Sequence, residues 1–166
     1  RVIWMIKRLL KRFVAGPSFP APAPDAPFIA LGDIHGCADL LQRFLDKAAG
    51  HPVICVGDYV DRGDHSAEVL RLLHARPDIT CLSGNHEEMM LDFLTDPTRS
   101  GARWLRYGGL QTLASFGVAG VTETSGTDAL VHARGQLQEA MGPDLISWIK
   151  GLPKCWQSGN VAVVHA

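Results

Sequence analysis

An α/β fold built on a parallel sheet is predicted for this chain by three features of its sequence. Short apolar runs alternate with segments of helical period from Phe28 to about residue 95. That strand–loop–helix order occurs three times in succession, which is the pattern of βαβ units. Each apolar run closes on Gly followed by Asp or Asn, so polar residues gather at the carboxyl end of every predicted strand.

The elements follow in order. Phe28–Leu31 is the first strand, short and apolar, and "GDIHG" follows it. Ala38–Ala49 has helical period, with Leu40, Leu41, Phe44, Leu45 and Ala48 on one face. Val53–Val56 is a second buried strand, followed by "GDYVDRG". Ser66–Ala75 is a second helix carrying Val69, Leu70, Leu72 and Leu73. Ile79–Leu82 is the third strand, "SGNHE" follows it, and Glu87–Leu94 begins a third helix. Beyond residue 95 three stretches keep a helical period: "SGARWLRYGGLQTLASFG", "TDALVHARGQLQEAMG" and "PDLISWIKGL". The closing "CWQSGNVAVVHA" places Ser-Gly-Asn between two strand-like runs, a hairpin turn.

Ahead of this folded part, residues 1–15 form a basic leader. Val2, Ile3, Ile6, Leu9, Leu10 and Phe13 share one helical face, and Arg1, Lys7, Arg8, Lys11 and Arg12 the other. A contact of residues 1–14 with a membrane surface is one reading; a flexible leader, or a helix packed on its own domain, is the preferred alternative. Residues 16–27 hold five prolines and read as an extended, semi-rigid linker. The folded domain is expected over 28–166.

The 166 residues, 46% of them apolar, suffice for one domain with a sizeable core. Sixteen basic and 17 acidic residues leave a net charge of −1, which gives no electrostatic case for a nucleic-acid partner. No apolar run reaches the ~18 residues of a membrane span. Cys37, Cys55, Cys81 and Cys155 show no Cys-x-x-Cys spacing, and free thiols in a reducing cytoplasm are the expectation.

The loops carry the chemistry. Asp33 and Asp58 lie 25 residues apart, and Asp58 and Asn85 lie 27 apart. Each interval is one βα unit, so the three loops should sit side by side at the strand ends where ligands bind in open α/β sheets. They bring together Asp33, His35, Asp58, Asp61, Arg62, Asn85 and His86. Crowding carboxylates and imidazoles is costly unless cations share the site. Oxygen and imidazole donors without thiolate suit Mn, Fe or Zn. Asp33, His35 and Asp58 would hold one ion; Asp58, as a bridge, and Asn85 would hold a second. Paired metals are a standard device for in-line phosphoryl displacement, and the planar fork of Arg62 suits a phosphate. The competing reading of Asp33, Asp58 and Asn85 is helix N-capping, which any one of them alone would suggest.

"GDIHG", "GDYVDRG" and "GNHE", in this order and spacing, resemble the three signature motifs of the phosphoprotein phosphatase family within the calcineurin-like metallophosphoesterases. "VAVVHA" resembles the family's fourth motif, and "WLRYGGLQTL" resembles a segment of its bacterial members. The resemblance extends from Phe28 to Ala166. It implies a metallo-dependent phosphatase-like four-layer α/β/β/α sandwich. It also implies two divalent metal ions, Mn²⁺ first with Fe or Zn as alternatives. Asp33 and His35 would bind the first ion, Asp58 would bridge, and Asn85 and His165 would bind the second. Arg62 would clamp the phosphate, and His86, oriented by Asp61, would protonate the leaving oxygen. The nucleophile implied is a metal-bridging water or hydroxide attacking phosphorus directly.

The function implied is a serine/threonine protein phosphatase of bacterial kind acting on a phosphorylated protein or small phosphomonoester. A dinucleoside polyphosphate hydrolase, or a non-catalytic module that keeps the fold, are the alternatives. "VDRG", "GNHE" and the intact Asp61–His86 pair favour the first. The family pattern has a further histidine ligand and a second arginine beyond the fourth motif, so the C-terminal part of the domain is expected to be missing. The 166 residues alone are therefore expected to aggregate, to hold at most one ion tightly and to turn over slowly. His51, His65, His74 and His132 are expected at the surface, Trp104 and Tyr107 in helix packing, and Glu87 in support of its loop.

Overall fold

Val53, Ile54 and Cys55 are all buried, so their strand must be covered on both sides, as the central strand of a parallel sheet is. The computed structural model describes residues 20–48 and 50–166. The basic leader lies outside these residues. The sheet has the order β1 (Ile29–Leu31), β2 (Val53–Cys55), β3 (Thr80–Cys81), all parallel. Ile29 pairs with Val53, Leu31 with Cys55, and Cys55 with Cys81. The strands are a residue or two shorter at their ends than the apolar runs suggest, because Val56 and Leu82 still bond across (Val56 N–H to Leu31 O, 2.9 Å; Leu82 N–H to Cys55 O, 2.8 Å) while the chain turns away.

Helices α1 (Ala38–Lys47), α2 (Ser66–His74) and α3 (Asn85–Thr95) each follow one strand. None is capped by an aspartate of its preceding loop: Cys37, His65 and Gly84 take the N-cap positions. Capping of the following helix is thereby removed for Asp33 and Asp58, although Asp58 Oδ1 accepts His86 N–H (3.0 Å) in the first turn of α3. Ala38, Leu41 and Leu45 bury one face of α1, and Val69, Leu70 and Leu73 one face of α2, as their spacing predicts.

The long helical stretch resolves into four pieces. Helix α4 (Pro97–Trp104) runs into a π-helical turn, Leu105–Gly109, and then into α5 (Leu110–Ser115). Helix α6 spans Thr127–Lys150, with non-helical geometry at Gly142 ahead of Pro143. Pro143 cannot donate a backbone bond, so the two sequence stretches that meet there remain two helical pieces. Leu130, Ala133, Leu137, Met141, Leu145 and Ile149 form one buried stripe along it. Each full burial of that kind contributes roughly 1.5–3 kcal/mol for the larger side chains, and the stripe packs against α2, α3 and α4.

The chain closes with the antiparallel hairpin β4 (Cys155–Ser158) and β5 (Val161–Val164), joined through the Gly159–Asn160 turn. The Pro-rich segment fastens to this turn. Asn160 Oδ1 accepts from Ala23 N–H (2.6 Å), Asn160 Nδ2 donates to Ala21 O (3.0 Å), and Asp25 Oδ2 accepts from Gly159 N–H (2.9 Å). The ring of Phe28 meets that of Trp156 edge-on at 4.7 Å. Two bonds tie the hairpin to the parallel sheet: Ser83 N–H to Pro153 O (2.9 Å), and the His165 ring to Val56 O (3.0 Å).

Candidate active site

The loops after β1 and β2 are stitched together through their backbones. Asp58 O accepts from both Ile34 N–H (3.0 Å) and His35 N–H (2.9 Å), and Tyr59 O accepts from Gly36 N–H (2.9 Å). The loop after β3 closes on them from the other side. Gly57, at φ +109°, lies so near that a Cβ there would sit 2.5 Å from Gly84 N. A side chain at Gly57 would part the two loops.

Glu87 locks this packing. Its carboxylate is fully buried and accepts four backbone N–H groups: Asp58 (2.8 Å), Tyr59 (2.8 Å), Gly84 (3.0 Å) and Val60 (3.3 Å). Burial pushes its carboxyl up to about 6, although the amides of Tyr59, Asp58 and Gly84 pull it down, so it is ionised at neutral pH. Glu87 supports the loops, as its place after the motif suggests. The four non-glycine residues at positive φ among those described are His35 (42°), Asp58 (55°), Asp61 (70°) and Arg62 (68°). Each such residue stores strain of order 1–3 kcal/mol, tolerated where surrounding bonds over-determine the backbone.

The side chains converge on Asp58, which is buried. Its Oδ2 lies 3.8 Å from His35 Nε2 and 3.9 Å from His86 Nε2, and its Oδ1 lies 3.5 Å from His165 Nε2. Asp33 Oδ2, half-exposed, is 3.7 Å from His35 Nε2. Two groups result, each with ligand atoms within 4.8 Å of one another: His35, Asp58 and His86, and Asp33, Asp58 and His165. Asn85 joins the second group through its Oδ1, 2.8 Å from His165 Nε2.

Three observations fit divalent cations here. First, separations of 3.5–3.9 Å are too long for hydrogen bonds, yet donor atoms that share an ion at ~2.1 Å each lie ~3–4 Å apart. Second, the outer ring nitrogens are spoken for: His35 Nδ1 bonds Val60 O (2.8 Å) and His165 Nδ1 bonds Val56 O (3.0 Å). A carbonyl must receive an N–H, so both Nε2 lone pairs face inward, the usual way a protein orients a metal-binding histidine. Third, Asn85 Oδ1 lies 2.8 Å from His165 Nε2, near enough for an amide oxygen and an imidazole nitrogen to share one cation.

The sequence-predicted residues are thus brought together, with two refinements. His86 sits within reach of the first group, but its Nδ1 is committed to Asp61 Oδ2 at 2.7 Å. Arg62 spans two imidazoles, Nη1 at 3.0 Å from His35 Nε2 and Nη2 at 3.2 Å from His86 Nε2. His86 is buried, which disfavours its charged form, but the hydrogen bond to Asp61 and the charges of Asp58 and Asp61 outweigh this, and the net shift is upward.

Sequence reasoning missed the residues around Asp61. Trp104 was expected only to pack, and it does pack, ring to ring with Phe93 at 4.7 Å. Its Nε1–H also reaches both Asp61 oxygens, at 3.1 and 3.0 Å. Thr112 donates to Asp61 Oδ1 at 2.7 Å. These positions lie 43 and 51 residues from Asp61, and no local pattern announces them. His51, His65, His74 and His132 are exposed, as expected.

Comparison with known proteins follows the same line. Residues 26–156 match the calcineurin-like phosphoesterase family. A serine/threonine-protein phosphatase 2 of Escherichia coli (strain K12) is 45% identical over 83 residues, which cover 48% of this chain and 37% of that protein. A symmetrical bis(5'-nucleosyl)-tetraphosphatase of Dechloromonas aromatica (strain RCB) is 31% identical over 146 residues, covering 82% of this chain and 42% of the relative. The chain thus spans less than half the length of either. A crystal structure of a protein provisionally assigned as a diadenosine tetraphosphatase superposes with a TM-score of 0.51 at 24% identity, covering 87% of this chain and 52% of the other, which speaks for a shared fold. Strand-end loops built around a central aspartate, and a family match over most of the length, lead to one conclusion: the chain belongs to the calcineurin-like phosphoesterase family.

Proposed function

We propose that this chain carries the active site of a phosphomonoester hydrolase, foremost a serine/threonine protein phosphatase. The observation that carries the reading is the 2.7 Å bond between Asp61 and His86 beside a cluster of cation-ready ligands. Asp33, His35 and Asp58 would hold one divalent ion tightly, and Asp58, Asn85 and His165 a second one more weakly, Mn²⁺ first and Fe or Zn otherwise. Ions in that position supply an activated water and neutralise phosphoryl charge. The chain's own residues do the rest. With its Nδ1–H fixed on Asp61, His86 presents Nε2 as the one position from which a proton can reach a leaving oxygen, and the upward shift keeps it protonated nearer neutral pH. Arg62, whose Nη1 and Nη2 lie against His35 Nε2 and His86 Nε2, would turn its planar fork to phosphoryl oxygens once an ion takes the His35 lone pair. Glu87 and the backbone bonds of the three loops hold the ligands in place without reorganisation on binding.

A second reading, hydrolysis of dinucleoside polyphosphates, is favoured by the length over which the tetraphosphatase relative aligns; the higher identity to the phosphatase relative favours the first. Hydrolysis of a phosphoserine peptide and of diadenosine tetraphosphate, each with and without Mn²⁺, separates them. Mn²⁺-dependent release of phosphate from the peptide supports the proposal. Turnover of the dinucleotide alone would move the assignment to the second reading. Mn²⁺ binding without turnover of either would leave a binding module.

A further inference from the structure

Asp61 is a buried carboxylate, with none of its surface exposed, and its only ionisable partner among the described residues is His86. A buried carboxylate needs its oxygens satisfied. Oδ2 takes the His86 Nδ1–H (2.7 Å) and a share of the Trp104 Nε1–H (3.0 Å). Oδ1 takes the Thr112 hydroxyl (2.7 Å) and the other share of the indole N–H (3.1 Å).

The Thr112 hydroxyl has one proton and two lone pairs. Oxygen partners stand at 2.7 Å (Asp61 Oδ1) and 3.2 Å (Ser66 Oγ). The short bond to a charged acceptor has first claim on the proton, and Ser66 Oγ is a second, longer acceptor of the same hydroxyl. A lone pair of Thr112 accepts Asp61 N–H at 2.8 Å. Thr112 therefore grips Asp61 at its backbone and at its carboxylate together. That grip holds a residue at φ +70°, which an unsupported aspartate would leave.

Trp104 and Thr112 come from α4 and α5, and the π-helical turn between them sets their spacing. Inside that turn Gly108, at φ +111°, gives its carbonyl to Arg62 N–H at 3.2 Å, and a Cβ there would sit 2.6 Å from Arg62 N. The same helical unit thus braces both Asp61 and the neighbouring arginine.

We propose that Trp104 and Thr112 are positioning residues for proton transfer: together they fix the orientation of the Asp61 carboxylate that holds His86 in the tautomer protonated at Nδ1, with Nε2 turned into the site beside Arg62. The proposal rests on the reading of His86 as the acid, but its first readout does not. Long-range proton–nitrogen spectra of the metal-free 166-residue chain, at a pH where His86 is neutral, report its tautomer directly. The wild type and Thr112→Ser should show a single tautomer protonated at Nδ1. Trp104→Phe keeps the ring but loses the N–H, and Thr112→Val keeps the shape but loses the hydroxyl; each should show a mixture. With Mn²⁺ present, the same two variants should lose turnover about tenfold on a phosphoserine peptide and clearly less on p-nitrophenyl phosphate, whose leaving group needs little protonation. Thr112→Ser should restore the wild-type ratio. A single Nδ1 tautomer retained in both Trp104→Phe and Thr112→Val overturns the proposal, whatever their stability. Tautomer mixing in the variants with no turnover by any form, wild type included, would uphold the positioning role and sink the assigned activity instead.

Discussion

Replacing Glu87 by glutamine tests how the three loops are held. The carboxylate satisfies four buried backbone N–H groups, two at each oxygen: Asp58 and Gly84 at Oε2, Tyr59 and Val60 at Oε1. An amide keeps one oxygen. Its NH₂ group then faces two N–H donors, leaving three donor groups without acceptors. At ~1–3 kcal/mol for each buried unsatisfied group, the loss is roughly 3–9 kcal/mol. Against it stands relief from burying a charge, since burial lifts the Glu87 carboxyl from 4.5 to about 6; that shift corresponds to about 2 kcal/mol at neutral pH. The net expectation is a destabilisation of roughly 1–7 kcal/mol, centred on ~4, large for a domain whose total stability is roughly 5–15 kcal/mol. Urea denaturation of the metal-free chain at pH 7 measures it. With a slope of ~2 kcal/mol/M, the midpoint should fall by ~2 M. Mn²⁺ affinity, read by titration calorimetry, should weaken too, because the backbone of Asp58 loses its anchor. A midpoint within ~0.3 M of wild type would show that the carboxylate does not hold the loops.

Further outcomes are expected. Asp58→Asn should lower metal occupancy, read by mass spectrometry, and nearly abolish Mn²⁺-dependent turnover, because one carboxylate serves both ligand groups; full occupancy with full turnover would remove Asp58 from the site. His86→Asn should cut kcat by ~10²–10⁴ on phosphoserine and less on p-nitrophenyl phosphate, with Asp61→Asn following the same trend more weakly; equal losses on both substrates would argue against His86 as the acid. In the metal-free chain the His86 titration midpoint should lie above the unperturbed 6.5. The stability this contributes is then complete below pH ~6.5 and lost as pH rises through the folded-state midpoint. Asp61→Asn should lower that midpoint, and a wild-type value at or below 6.5 in an NMR titration under chelator would refute the assignment.

Much of this protein is written locally. The three βα repeats, the gathering of polar residues at one end of the sheet, and the hairpin around Ser-Gly-Asn follow from apolar period and turn chemistry within windows of about ten residues. So do Asp33, His35, Asp58, Asn85 and His86: parallel strands joined by βα units must deliver successive loops to the same edge. His165 was legible only because it closes an apolar strand in a recognisable motif. Its placement against Val56 and Asn85 depends on how the hairpin docks, over separations of 109 and 80 residues. The fastening of the Pro-rich segment to the hairpin turn is likewise a tertiary matter, since prolines dictate extension but not what an extended strand touches. The setting of Asp61 was beyond the sequence altogether. Trp104 and Thr112 look like ordinary helix residues, and only the packing of α4 and α5 against the second loop turns an indole N–H and a hydroxyl toward a buried carboxylate. Local sequence decides which groups can do chemistry; long-range packing decides which way they point, because a hydrogen bond needs a partner at ~3 Å and a favourable angle, and neither is encoded by spacing along the chain.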